Sequence, residues 1–149
     1  MTSASGTSSN LFAPRGSAEV IERGDVFQPK FGPDDLLPAI ITDAETGDVL
    51  MFAWMNPEAL ALTIETGLAH FWSRSRQRIW KKGEESGNLL QISEILTDCD
   101  QDVLWLKCHV EGDGKACHTG ARSCFYRALS PHRTEDGAVR LVPAASTEG

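Results

Sequence analysis

The chain has 149 residues, with 14 Lys and Arg against 21 Asp and Glu, for a formal net charge of −7. That length predicts one domain, and 41% hydrophobic with 23% charged residues excludes wholesale disorder. The acidic balance argues against a general nucleic-acid binder, which carries a basic excess. The longest apolar run, residues 49–55, falls well short of the roughly 20 residues a membrane-spanning helix needs.

Residues 1–17 are rich in Ser, Thr and Gly and read as a flexible tail. The first ten lack the basic start and apolar stretch of a signal peptide. A cytoplasmic, reducing setting is therefore expected. There Cys99, Cys108, Cys117 and Cys124 read as metal ligands, reactive thiols or core residues before disulfides. Residues 18–142 are expected to form the single domain and residues 143–149 a second flexible tail. Within the domain, residues 18–35 show no period, broken by Gly24, Gly32 and Pro33.

Residues 36–42 (LLPAIIT) predict a buried strand, 43–48 a turn and 49–54 a second strand, together a hairpin. Asn56 followed by Pro57 predicts a capped helix start, and Gly67 a left-handed stop for a helix over 57–66. Residues 68–73 read as a strand leading into a basic loop. Further strands are expected over 89–96 and 103–110, and a last core strand over 125–129. Strands outnumber helices without regular βαβ alternation, so the fold class expected is a β-rich α+β domain.

Three segments carry chemistry. The first is Asp98-Cys99-Asp100-Gln101-Asp102. Along extended chain the three carboxylates project together and Cys99 points away. Crowded carboxylates repel unless a hard cation such as Mg²⁺ neutralises them. The plainer alternative is a solvated acidic turn. An EF-hand is excluded, since its sixth and twelfth places would hold Val103 and His109 instead of Gly and Glu. Cys99 then belongs either to the core or to a softer site completed from elsewhere in the chain or from another chain.

The second segment runs from Gly114 to Cys124 and holds Cys117, His118 and Cys124. For two thiolates to share a zinc ion their sulfurs must approach within roughly 4 Å. The segment must then fold back as a loop, which Gly114 and Gly120 permit. With Cys99 there are three thiolates, leaving a fourth position for water, as in catalytic zinc sites. His118 is either a general base for that water or a fourth ligand. Cys108 reads as a core residue, His70 and His109 as packing or surface residues, and His132 carries no signal.

The third segment, residues 72–88, packs five cations and two tryptophans into an acidic chain. Arg forks and Ser hydroxyls suit phosphate oxygens, and Trp72 and Trp80 suit stacking on a base. A short RNA-binding loop or a charged surface loop has the same composition.

The blocks FWSRSR (71–76), WKKGEESGN (80–88), DCDQD (98–102) and ACHTGARSCFYR (116–127), in that order, resemble the phosphoribosyl-AMP cyclohydrolase family of histidine biosynthesis. The resemblance spans residues 37–127. It implies a small mixed-strand pseudo-barrel capped by a helix, in an intertwined homodimer. It implies one Mg²⁺ per subunit on Asp98, Asp100 and Asp102. It also implies one zinc per subunit on Cys117 and Cys124, with Cys99 supplied by the dimer partner. His118 matches the family's general base, and the basic block matches its substrate-binding region, from which Arg74, Arg76 and Lys82 are taken as phosphate contacts. The small-molecule substrate implied is phosphoribosyl-AMP, with neither nucleic acid nor membrane as partner. Zinc-activated water is expected to attack C6 and open the N1–C6 bond. The family is sometimes fused to a pyrophosphohydrolase; a chain of this length is expected to carry the cyclohydrolase alone.

Two readings compete. A zinc-dependent adenine nucleotide deaminase also attacks C6, and His109-Val110-Glu111 matches half of its H-x-E…P-C-x-x-C signature, but no P-C-x-x-C is present. A small zinc-stabilised RNA-binding module would use the basic loop, against which the acidic cluster and net charge count.

Overall fold

The structure, a computed structural model, describes residues 11–145. The outer parts of both expected tails, 1–10 and 146–149, lie outside the described residues. Strand β1 (Leu37–Asp43) alternates as a half-buried strand should, with Leu37, Ala39 and Ile41 inward. It pairs antiparallel with β2 (Val49–Met55) across the expected turn. Ile41 pairs with Met51 and Thr42 with Val49, so Leu50 is the extra residue of a bulge. The bulge lets Leu50 and Met51 both bury.

Before β1, a short helix α1 (Ala18–Arg23) starts at a Ser17 cap, in a stretch where the sequence shows no period. After β2, helix α2 (Pro57–Thr66) has the expected ends. The Asn56 side chain accepts the Ala59 N–H at 2.8 Å, and Gly67 closes the helix at φ 76°. Thr63, fully buried, donates to the Ala59 carbonyl at 2.8 Å and accepts the His70 N–H at 2.9 Å. One hydroxyl thereby ties the helix to the next strand.

That strand, β3 (His70–Ser73), turns into β4 (Arg78–Lys81). β5 (Leu90–Thr97) and β6 (Leu104–Val110) form a second hairpin. The six-stranded sheet has the order β4-β3-β2-β1-β6-β5, in which β1 and β6 run parallel and all other neighbours antiparallel. A bridge between Leu68 and Gln91 draws the β3 and β5 sides of the sheet together at one corner, curling it around the core. The core consists of alternate residues of β1, β2 and β6, joined by Ala59 and Leu60 of α2 and by Phe71, Leu90 and Ala116. This is the β-rich α+β class with mixed strands expected from sequence.

Two expectations are corrected. The expected basic loop is interrupted by β4, because Phe71 packs on Trp80 with ring centroids 5.3 Å apart and Ile79 packs on the core. The expected last core strand is not core. β7 (Arg127–Arg133) pairs with β8 (Val139–Pro143) in a separate ribbon, where Leu129 is 70% exposed. Alternating apolar residues mark a strand in either case; what is missing is a buried surface for them to meet.

Residues 11–35 pack along the domain. Phe12 meets Phe27 at 5.5 Å and Phe31 at 6.3 Å between centroids. Arg15 donates to the carbonyls of Gln28 and Asp100 at 3.1 and 2.8 Å. On the outer sheet face, Ile40, Phe52 and Trp105 occupy one cross-strand row and stay exposed. Among the described residues no helix is long and apolar enough to cross a membrane.

Candidate active site

The β3–β4 hairpin presents the cations. Its turn is held by the Gln77 N–H on the Ser73 carbonyl (2.8 Å) and the Arg76 N–H on Ser73 Oγ (3.1 Å). After β4 the chain turns at Gly83 (φ 84°), where a Cβ would lie 2.4 Å from the Asn88 backbone. Asn88 then bridges to the cysteine loop. Its Nδ2 donates to the Lys115 carbonyl at 3.0 Å and its Oδ1 accepts the Asp113 N–H at 3.1 Å.

The cysteine loop folds back as expected. Ala116 N–H donates to the Arg122 carbonyl, and Cys117 N–H to the Ala121 carbonyl, both at 3.1 Å. The Cys124 N–H is fixed on the Leu50 carbonyl at 2.7 Å. Arg122 anchors the loop to the β1–β2 turn through Asp43, Thr46 and Asp48. The loop thus brings the two thiols together. Burial opposes ionisation of Cys117, but the Thr119 hydroxyl at 3.1 Å, the Thr119 N–H, the Cys124 thiol and the Lys82 ammonium pull it below its ordinary value. Partial desolvation and the neighbouring Cys117 sulfur push Cys124 up to about 11. Adjacent thiols with one favoured as thiolate are the donors a soft ion such as zinc takes.

A cavity of about 470 Å³ joins the two loops. Ser73, Ser75, Arg76, Arg78 and Trp80 of the hairpin line it together with His118 of the cysteine loop. Glu84 and Glu85 also line it. Of the three cations expected to hold phosphate, only Arg76 lines this cavity. Lys82 sits beside the thiols and 5.9 Å from the Trp80 ring centroid. Arg74 lies 4.9 Å over Trp54 and lines a separate cavity of about 400 Å³. Arg78, Ser73 and Ser75 were not singled out from sequence. They come from both strands of the hairpin and from its turn, so no single periodicity in the sequence marks them.

Asp98, Asp100 and Asp102 offer carboxylate oxygens that all lie within 4.8 Å of one another in the turn between β5 and β6. A hydrogen bond shared with Asp98, partial burial and the charges of Asp98 and Asp100 push the Asp102 carboxyl up. For Asp98, burial works against the charge, but the Asp102 N–H and carboxyl and the Val103 N–H hold it down. Crowding of this kind is relieved by a hard cation. Among the described residues this is the only such group of three, so exposed Cys99 does not join Cys117 and Cys124 within one chain.

The remaining candidates have structural places. Cys108 is fully buried, and burial with the Asp43 charge raises its thiol to about 12. His70 Nδ1 lies 2.9 Å from the Leu68 carbonyl. His109 is exposed, 3.9 Å from Glu45, and is not among the cavity residues.

Comparisons with known proteins point one way. Residues 51–126 match the phosphoribosyl-AMP cyclohydrolase family profile. A phosphoribosyl-AMP cyclohydrolase of Brucella abortus (strain S19) is 62% identical over 127 residues, 85% of this chain and 89% of that protein. Another, from Brucella abortus (strain 2308), is 65% identical over 117 residues, covering 78% and 96%. One from Brucella anthropi is 61% identical over 124 residues, covering 83% and 86%. A profile matching half the chain and relatives of this identity, together with the site just described, place the chain in the phosphoribosyl-AMP cyclohydrolase family, hydrolases of a purine-ring carbon–nitrogen bond.

Proposed function

We propose that this chain hydrolyses the N1–C6 bond of the adenine ring of 1-(5-phosphoribosyl)-AMP, yielding the ring-opened phosphoribosylformimino intermediate of histidine biosynthesis. The observation that carries the reading is the cavity lined by Arg76, Arg78, three serines and His118, the last adjacent in the chain to Cys117 of the Cys117–Cys124 pair. The substrate carries two phosphates and a ring made cationic at N1. Arg76 and Arg78 supply forks for a phosphate, with Ser73 and Ser75 as further donors. Trp80 offers a face for the base, and Glu84 and Glu85 offer carboxylates for its positive charge. Holding the base in one pose removes orientational freedom before reaction.

Cys117 and Cys124 would hold zinc with Cys99 of the partner subunit as third ligand. When bound, zinc with three protein ligands activates water near neutral pH. His118, outside any three-ligand cluster among the described residues and lining the cavity, takes the proton from the attacking water and delivers one to the departing N1. Asp98, Asp100 and Asp102 would hold Mg²⁺. Two observations support the homodimer: among the described residues Cys99 forms no three-ligand group with Cys117 and Cys124, and the row Ile40, Phe52 and Trp105 leaves apolar surface uncovered.

The test is zinc content and turnover measured together on Cys117→Ser and Cys124→Ser. Loss of both is expected in each variant. A zinc-free variant with full activity would falsify the reading, and release of ammonia from an adenine nucleotide would convert it into a deaminase.

A further inference from the structure

The residue between the second and third carboxylates of the acidic turn, Gln101, has an unusual position. It lies in the turn exposed at Asp98, Cys99 and Asp100, yet Gln101 itself is only 6% exposed. Its backbone is left-handed at φ 56°, a conformation that costs a non-glycine residue energy and persists only when its surroundings impose it. The surroundings are the N-terminal segment. Gln101 Oε1 accepts the Gln28 N–H at 2.6 Å, and its Nε2 donates to the Ile21 carbonyl at 2.9 Å. Its carbonyl accepts the Lys30 N–H at 2.8 Å. Next to it, Arg15 donates to the Asp100 carbonyl at 2.8 Å. Gln28 is held in turn by the Gly16 N–H on its Oε1 at 2.8 Å.

The same left-handed residue closes the turn on the carboxylate side. The Gln101 N–H donates to the Asp98 carbonyl at 3.0 Å, and the Asp102 N–H to Asp98 Oδ1 at 3.0 Å. Both bonds require the chain to reverse between Asp98 and Asp102, and that reversal brings the three carboxylates within 4.8 Å. All the clamping partners lie in residues 15–30, outside the stretch 51–126 that matches the family profile.

We propose that Gln101 is a positioning residue, through which residues 15–30 hold the acidic turn in its cation-binding shape. The inference rests on the reading that Asp98, Asp100 and Asp102 bind a divalent cation, and it assigns the N-terminal segment a role in that site. Gln101 does not touch the cation. It sets the distance between the groups that do, in the way outer partners of metal ligands commonly govern affinity.

The experiment uses the full-length, zinc-loaded protein and Mn²⁺ as probe, with free Mn²⁺ read by electron paramagnetic resonance. Gln101→Ala is expected to weaken Mn²⁺ binding about tenfold to a hundredfold. Zinc content should stay unchanged, and turnover should recover at saturating Mg²⁺, a recovery that a general folding defect would not show. Amide hydrogen exchange at residues 101 and 102 should accelerate. Gln101→Gly adopts positive φ freely but lacks the side chain; wild-type affinity in that variant would overturn the clamp, as would unchanged affinity in Gln101→Ala. Arg15→Ala, at the exposed end of the clamp, should weaken Mn²⁺ a few-fold and serves if the Gln101 variants do not fold. If the wild-type protein takes up no Mn²⁺, the cation reading falls, and the clamp is judged by exchange alone: faster exchange upholds it, unchanged exchange ends it.

Discussion

The guanidinium of Arg122 stands 3.2 Å from the Asp43 carboxylate, 79 residues away in sequence, and 2.9 Å from Asp48. Through this fork the cysteine loop is bound to the β1–β2 turn. Burial opposes the Asp43 charge, but the N–H groups of Glu45 and Thr46 and the Arg122 guanidinium hold its carboxyl below the ordinary 3.8. Arg122→Ala should cost about 1 kcal/mol at pH 7, a charged hydrogen-bond contribution reduced by partial exposure. A carboxyl depressed in the folded state stabilises the fold above its unfolded value and ceases to do so as pH falls through its folded value. Denaturant unfolding at a series of pH values should therefore show the two proteins converging as the pH falls below the ordinary carboxyl value and through the lowered value of Asp43. A difference persisting there would assign the effect to packing of the arginine stem.

His118 enters the cavity without being part of any three-ligand cluster among the described residues. His118→Ala should lower kcat about 10²- to 10⁴-fold, the usual worth of a positioned acid–base group. Zinc content should be unaltered. A variant that loses zinc along with activity would show the imidazole to be a ligand.

Arg76 and Arg74 are two residues apart but line different cavities. Arg76→Ala should raise KM by roughly 10- to 100-fold, as expected for losing a charged hydrogen bond to phosphate. Arg74→Ala should leave KM within about threefold and cost about 0.5–1 kcal/mol of stability, through its lost contact with the Trp54 ring. Equal effects on KM would mean that both arginines face the substrate.

Gly83→Ala tests the junction of the loops. Its Cβ would meet the Asn88 carbonyl carbon and oxygen at 2.4 Å and the Leu89 nitrogen at 2.6 Å, on a backbone at φ 84°. The Asn88 bridge must shift, so activity should drop at least about tenfold while the sheet core survives, as strain of about 1–3 kcal/mol would produce. Near-wild-type turnover with an intact circular dichroism spectrum would show that the bridge does not set the cavity.

Phe52→Lys probes the proposed dimer by placing a charge in the exposed row with Ile40 and Trp105. Sedimentation should show monomers, and zinc occupancy should fall with them because Cys99 would no longer reach the other two thiols. Monomers that retain zinc would place all ligands in one chain.

Much of this architecture is legible in the residues. Asn56, Pro57 and Gly67 announce helix α2 because each answers a specific backbone demand at a helix end. Gly114 and Gly120 likewise signal a loop able to bring Cys117 and Cys124 together. The placement of Arg74 away from the cavity was not legible, since Arg74 and Arg76 share one parity and are separated only by the reversal of the chain between β3 and β4, in a stretch that reads as a polar loop until Phe71 and Trp80 are seen to stack. Nor was the burial of Gln101, because its partners lie in a stretch with no period. Local signals report local geometry, whereas which distant segment arrives at a turn is decided by packing.

The parallel seam between residues 39–43 and 104–108 runs through the middle of the sheet. On a growing chain, β1 waits for β6 across about sixty intervening residues, leaving Ala39 and Ile41 without their partners Leu104 and Leu106. Pairing across so long an intervening loop is slow. The cysteine loop comes later still, anchored at Leu50 and Asp43 of the hairpin whose first strand completes that seam. Capture of an ion by the two thiols, as proposed above, would then fall near the close of the folding sequence, after the scaffold that aligns the sulfurs has set.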